Sequence, residues 1–255
     1  MGILTDAGPY ATLKVRLQED ICFIQIHRPE ANNTINDTLV DEFTQVLAAC
    51  EREVKIVVIE GLPEVFCFGA DFKATHTGPP NPEPMYKVWL QLAFGPYITI
   101  AHVRGQANAG GIGFVAACDI VLCEDKATFS LSELLFGLMP ACVLPFLVRR
   151  VGASKANYMT LMTEAVSAKT AQEWGLVDDC AEDSGNLLRK KLLRLRRLGK
   201  PGIARYKRYL ETMDNTLHSA MAPALAANIE VFSDQDNLAK IERYVTTGQF
   251  PWEGL

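Results

Sequence analysis

Two short turns carry the residue types from which an acyl-binding site could be built. They are Phe66-Cys67-Phe68-Gly69-Ala70-Asp71 and Asn108-Ala109-Gly110-Gly111-Ile112-Gly113. Each follows a strand-like apolar run, Lys55 to Glu60 and Ile98 to Val103, so each can end in backbone N–H groups with no partner in the chain. Without bulky side chains the backbone at Ala70 and Gly110 can approach a ligand closely. Two converging N–H donors there would stabilise negative charge growing on a carbonyl oxygen, the requirement of thioester enolate chemistry. Taken alone, each turn reads first as an ordinary strand-to-helix connection, because glycine-rich turns are common.

The second ingredient is a carboxyl that can move a proton. Glu133 lies in Thr128-Phe129-Ser130-Leu131-Ser132-Glu133-Leu134-Leu135-Phe136-Gly137, an almost wholly apolar neighbourhood in which a charge is expensive to bury. Desolvation there raises a carboxyl pKa toward neutrality, where one group can both accept and return a proton. The competing reading is a surface glutamate in the first turn of a helix capped by Ser130 or Ser132. Asp71 reads as a cap for the turn that follows it. Tyr86 and Lys87 could reach a bound substrate if their helix lines the pocket, although lone residues of these types are commonly surface groups. His102, inside a strand, reads as a structural histidine.

Other chemistries find less support. His27, His76, His102 and His218 are isolated from one another, and the seven cysteines include no C-x-x-C pair, so the sequence offers no metal site. Reduced, mostly buried thiols and an N-terminus without an export pattern lead us to expect a cytoplasmic protein. A net charge of −5 argues against nucleic acid as a partner, and no apolar run approaches the roughly 20 residues that span a bilayer. Gly111-x-Gly113-x-x-Ala116 imitates a dinucleotide fingerprint, but the next strand begins too soon for a parallel crossover and no acidic residue ends it at the required distance. Arg189 to Arg208 holds ten of the 25 lysines and arginines, interleaved with leucines. It reads first as an amphipathic helix with a solvated face, and alternatively as a docking patch for an acidic partner.

The elements that must position these residues alternate. Thr12 to Leu17 and Ile21 to His27 read as a hairpin, and Asn36 caps a helix from Asp37 to about Arg52. Strand Lys55 to Glu60, a proline-rich loop or lid from His76 to Pro84, and a helix from Met85 to Phe94 follow. Strand Ile98 to Val103, a short helix after Gly110, and strand Asp119 to Cys123 continue the theme, which predicts α/β architecture. Beyond Phe136 the periodicity is helical: Cys142 to Val151, Ser154 to Thr163, Ala168 to Trp174, Ser184 to Leu198, and further helices to about Thr246. Apolar stripes in the last 55 residues, such as Tyr206, Tyr209 and Met213, suit a core or a neighbouring subunit.

Together these pieces resemble the crotonase, or enoyl-CoA hydratase/isomerase, superfamily. The likeness rests on His27-Arg28-Pro29-Glu30-Ala31-Asn32-Asn33, Phe68-Gly69-Ala70-Asp71, Gly110-Gly111 with Cys118-Asp119-Ile120, Ser132-Glu133, and Ala171-x3-Gly175-Leu176-Val177-Asp178. It implies a spiral core of ββα units over 1–199 and a helical region over 200–255 that serves oligomerisation and covers the site. It also implies homotrimers or hexamers, an oxyanion hole at Ala70 and Gly110, and Glu133 as the proton carrier. Phe68, Tyr86, Lys87, Asn108 and Gly111 are the substrate-binding candidates. Hydratases of the superfamily carry a second catalytic glutamate where this chain has Gly113, so a plain fatty enoyl-CoA hydratase is disfavoured.

Closer likeness is to the dehydratases of polyketide β-branching cassettes, carried by Pro29 to Asp37, Glu60 to Phe72, Phe129 to Gly137 and Thr247-Gly248-Gln249-Phe250-Pro251-Trp252-Glu253. The implied reaction is dehydration of 3-hydroxy-3-methylglutaryl to 3-methylglutaconyl on an acyl carrier protein. The phosphopantetheine arm would carry the substrate, with no other cofactor and no metal. Arg194 and Arg197 would then be docking residues for the acidic carrier, and Lys73 falls near the position where the superfamily meets the phosphate of CoA. Decarboxylation or isomerisation on the same scaffold, and a non-catalytic carrier-binding role, are the alternatives.

Overall fold

The computed structural model describes residues 10–73 and 81–253. His76 and most of the proline-rich segment therefore lie outside the described residues. The chain opens with an antiparallel hairpin, β1 (Leu13–Gln18) and β2 (Ile21–Ile26), closed at Glu19 and Asp20. Next comes α1 (Asp37–Cys50), where Asn36 accepts a hydrogen bond from the Leu39 N–H and so satisfies one of the helix's orphan donors. Leu39, Phe43, Val46, Leu47 and Cys50 recur at helical spacing and are all fully buried.

Three strand pairs then build the spiral. In each, a long strand joins one sheet and a three-residue strand joins a second: β3 (Ile56–Glu60) with β4 (Val65–Cys67), β5 (Ile98–Val103) with β6 (Gln106–Asn108), and β7 (Ile120–Glu124) with β8 (Thr128–Ser130). The first pair is followed by α2 (Glu83–Phe94) and the second by α3 (Gly110–Ala117). Later come α4 (Leu144–Met162), β9 (Val166–Ser167), α5 (Ala168–Glu173) and β10 (Asp179–Ala181). The six-stranded sheet runs β1-β2-β3-β5-β7-β10 and the four-stranded sheet β4-β6-β8-β9. Parallel pairing buries β3, β5 and β7 on both faces, which explains their continuous apolar runs.

The helical remainder comprises α6 (Ser184–Leu195), α7 (Lys200–Met213), α8 (Thr216–Ser233) and α9 (Gln235–Thr247). Two helices expected between Cys142 and Thr163 form α4, broken at Gly152, whose φ of 77° is left-handed.

Alternate residues of the six-stranded sheet enter two separate cores. Cys22, Ile24, Val57 and Ile59 face the main core with α1, α2, α3 and the small sheet, whereas Ile21, Phe23, Ile56 and Val58 face Leu188 of α6. α8 and α9 form a third cluster in which Val231 and Ile241 meet Phe136 and Leu138.

Candidate active site

The segment from His27 to Asp71 braces the first glycine turn. Asn33 is fully buried and its amide donates to the carbonyls of Ile26, Val65 and Phe66, which ties β2 to β4. Arg28 pairs with Asp71 at 2.8 Å and donates to the Thr34 carbonyl. Burial raises the Asp71 pKa, but the Arg28 hydrogen bond and the Lys73 N–H outweigh it and hold the carboxyl below its ordinary range. The Ile35 N–H donates to Gly69, and the Asp71 N–H donates to Ile35. Because donors alternate along an extended chain, the Ala70 N–H points away from this ladder and has no acceptor among the described residues.

Gly69 has a φ of 88°, and its lack of a side chain lets the second turn close over it. A Cβ placed there would lie 2.7 Å from the Ala109 Cβ and 3.3 Å from the Gly110 nitrogen. The two turns are therefore in contact. At Ala109 the chain takes the strained pair φ 50°, ψ −121°, held by donation of its N–H to Ser130 at 3.0 Å. This twist starts α3 at Gly110, whose N–H, as the first of a helix, has no intrahelical partner and no other acceptor among the described residues. Two free N–H groups thus flank one backbone contact, as stabilisation of an acyl oxyanion requires.

Glu133 is tied to the second turn through β8. Asn108 accepts from the Ser130 hydroxyl at 2.9 Å and donates to the Ser132 hydroxyl at 3.0 Å, which binds the residue two before Gly110 to the residue before Glu133. A short 3-10 turn, Glu133–Phe136, carries the carboxylate, and no side chain caps it. Gly137 ends this turn in the left-handed region, where its carbonyl accepts from the Asn237 amide of α9. Glu133 is half-buried, but its Oε2 is sealed from solvent with no hydrogen-bond partner among the described residues. Burial lifts its pKa from 4.5 to about 7, against the pull of the Glu133 and Ser132 backbone N–H groups.

Several expected contacts are corrected. Tyr86 is fully buried and its hydroxyl donates to the Leu217 carbonyl, so it ties α2 to α8 instead of meeting a substrate. Lys87 is exposed on α2 and pairs with Glu83 at 2.7 Å. The Asn108 side chain is occupied by the two serines. A Cβ on Gly111 would fall 2.4 Å from the Cys67 carbonyl oxygen, so that glycine serves the packing of α3 on β4. Phe68 remains exposed in the turn, and Phe72 and Leu134 are exposed as well. Arg194 and Arg197, the docking candidates, are exposed. They lie in and just after α6, across the six-stranded sheet from the core that holds both glycine turns. His102 is structural, held by Glu60 and Ser184 at 2.8 Å each.

One residue that sequence reasoning passed over stands beside α3. The indole of Trp89 lies against Gly113, where an added Cβ would come within 2.3 Å of the ring. A cleft of about 780 Å³ opens at the opposite, C-terminal end of α3, but its Lys207, Arg150 and Arg149 are paired with Asp119, Asp178 and Asp214. Among the described residues there is no cluster of three or more metal-ligating side chains, and no helix is long and apolar enough to cross a membrane.

The enoyl-CoA hydratase/isomerase family model matches residues 16–255. The chain is 57% identical over 256 residues to bacillaene synthase dehydratase PksH of Bacillus subtilis, covering 97% of this chain and 99% of that protein. The crystal structure of a polyketide biosynthesis enoyl-CoA hydratase from Bacillus subtilis superposes with a TM-score of 0.92, at 57% identity, over 95% of this chain and all of that one. Hydroxycinnamoyl-CoA hydratase-lyase of Pseudomonas fluorescens is 30% identical over 188 residues, 69% of this chain and 68% of that protein. With the paired glycine turns, the spiral of strand pairs and these matches in place, the chain belongs to the enoyl-CoA hydratase/isomerase, or crotonase, family.

Proposed function

We propose that this protein is a hydro-lyase of polyketide β-branching that converts 3-hydroxy-3-methylglutaryl-acyl carrier protein to 3-methylglutaconyl-acyl carrier protein. The observation that carries the reading is a pair of unpartnered N–H groups on touching turns, the second tied through Asn108 and Ser132 to a carboxyl whose pKa is raised to about 7. The 57% identity to a polyketide dehydratase over nearly the full chain supports water removal in that setting.

In this reading the thioester carbonyl accepts from the N–H groups of Ala70 and Gly110, which lowers the cost of breaking the C2–H bond. The ionised Glu133 takes that proton, and its electron pair moves into the enolate. The enolate then collapses to the C2=C3 double bond, the C3–O bond breaks, and Glu133 returns the proton to the departing oxygen, releasing water. One carboxyl suffices because a pKa near neutrality lets it act in both directions. Gly113 with Trp89 packed on it leaves no room there for a second carboxylate.

The partner is an acyl carrier protein, and phosphopantetheine is the only prosthetic group the reading needs. Lys73, exposed and three residues beyond Ala70, suits the phosphate at the base of the arm. Exposed Tyr158, Leu161 and Met162 of α4 and Tyr206, Tyr209 and Met213 of α7 suit burial between copies in a trimer or hexamer. Purified protein incubated with 3-hydroxy-3-methylglutaryl carrier protein, read by intact mass, tests the reading. Loss of water supports it. Loss of carbon dioxide from the glutaconyl form favours a decarboxylase, and binding without mass change favours a scaffold.

A further inference from the structure

Trp89 is 3% exposed, yet its Nε1–H has no acceptor among the described residues. Buried donors are nearly always paired, so this one calls for an explanation. The ring is held firmly: Phe114 and Phe146 meet it edge-on at 6.1 and 5.7 Å between centroids, and Gly113 admits it onto α3. Cε2, one of the two carbons bonded to the donor nitrogen, would lie 2.5 Å from a Cβ on Gly113. Gly113 follows Gly110 by three residues, so it sits about 4.5 Å further along the helix on nearly the same side. Glu133 Oε2, an acceptor when ionised, is likewise without a partner among the described residues.

We propose that Trp89 is a catalytic residue for C–O cleavage, donating its indole N–H to the C3 oxygen as that oxygen departs. The inference rests on the dehydratase reading above. The N–H stays unbonded until a substrate oxygen replaces the missing partner, and it stabilises negative charge on that oxygen while the C3–O bond breaks. Glu133 then supplies the proton that completes water. Ala70 and Gly110 stabilise the enolate, so proton removal at C2 does not depend on Trp89. The division of labour separates the two bond-breaking events among different donors.

The test is Trp89→Phe, assayed with 3-hydroxy-3-methylglutaryl carrier protein labelled in turn with deuterium at C2 and oxygen-18 at the C3 hydroxyl. Water loss should slow by about 10²-fold, the effect typical of losing one preorganised donor. The oxygen-18 isotope effect should rise above the wild-type value, because C–O cleavage has become the slow step. A rate within about threefold of wild type overturns the proposal. So does a slow variant whose oxygen-18 effect is unchanged, since a ring that merely shapes the pocket would slow proton transfer instead. If Trp89→Phe fails to fold, the benzothiophene analogue of tryptophan placed at position 89 removes only the N–H and gives the same readout. Wild-type protein that releases no water overturns the dehydratase reading itself, whereas a working wild type with an indifferent Trp89→Phe strikes this assignment alone.

Discussion

Replacing Glu133 by Gln should stabilise the ligand-free protein in a pH-dependent way. Burial raises the Glu133 pKa from 4.5 to about 7. At 1.36 kcal/mol per pKa unit, the folded state resists ionisation of this carboxyl by about 3 kcal/mol. The residue is half-buried, and solvent screening brings that figure to between half and the whole, about 1.5–3 kcal/mol. The sign follows from proton binding. Below pH 4.5 both states hold the proton and the carboxyl has no effect. Between about 4.5 and 7 the folded state binds more protons than the unfolded one, so wild-type stability falls as pH rises, and the loss is complete above about 7. Glutamine has no such proton. Urea unfolding of both proteins at one fixed concentration, at pH 5 and pH 8.5, should show the difference in stability moving by about 1.5–3 kcal/mol in favour of Glu133→Gln. A difference independent of pH would refute the argument, because it would mean that Glu133 titrates alike in both states.

Four further outcomes follow from the same geometry. Dehydration at subsaturating substrate should rise with pH through about 7 as Glu133 ionises; a profile flat across that range would assign the base elsewhere. Gly69→Ala forces a side chain onto a φ of 88° and drives its Cβ to 2.7 Å from Ala109, so kcat should drop at least about 10²-fold as the two N–H groups part, checked by steady-state kinetics. Gly113→Ala should cost about 1–3 kcal/mol by overpacking against Trp89, and thermal unfolding of the double variant with Trp89→Phe should recover part of that loss. Lys73→Glu should raise KM for carrier-bound substrate more than for a pantetheine thioester lacking the phosphate, whereas Arg194→Glu with Arg197→Glu, on the far face of the sheet, should leave both KM values unchanged.

The local rules that were readable in the sequence are those whose causes are local. Asn36 before a periodic apolar run gave α1, and the uninterrupted β-branched stretch Ile56–Ile59 gave a parallel strand buried on both faces. The short strands β4, β6 and β8 escaped because three residues carry no periodicity; they exist through pairing with one another across the spiral. The glycine turns were legible as places of close approach, since residue type alone permits it. Side-chain destinations were not. Tyr86 and Lys87 are adjacent in sequence, yet one is fully buried against Leu217 and the other lies in solvent, a difference set by which face α2 presents to α3 and α8.

Trp89 was illegible for the same reason, and its position explains a feature that the sequence showed only as a missing group. Gly113 is not a vacancy left by a lost carboxylate. Its Cα surface is covered by an indole at distances that exclude any side chain, so the glycine and the tryptophan form one packed unit. In the proposed mechanism that unit supplies a neutral donor where a second carboxylate would stand. A second carboxylate there would raise the Glu133 pKa further through like-charge repulsion and remove it from the range where it ionises near neutral pH. An N–H of no net charge leaves Glu133 free to titrate, and it would not repel the carboxylate of the proposed substrate. The proposed preference for water loss from an anionic acyl group thus rests on the charge balance of four groups: two backbone N–H donors, one indole and a single carboxyl.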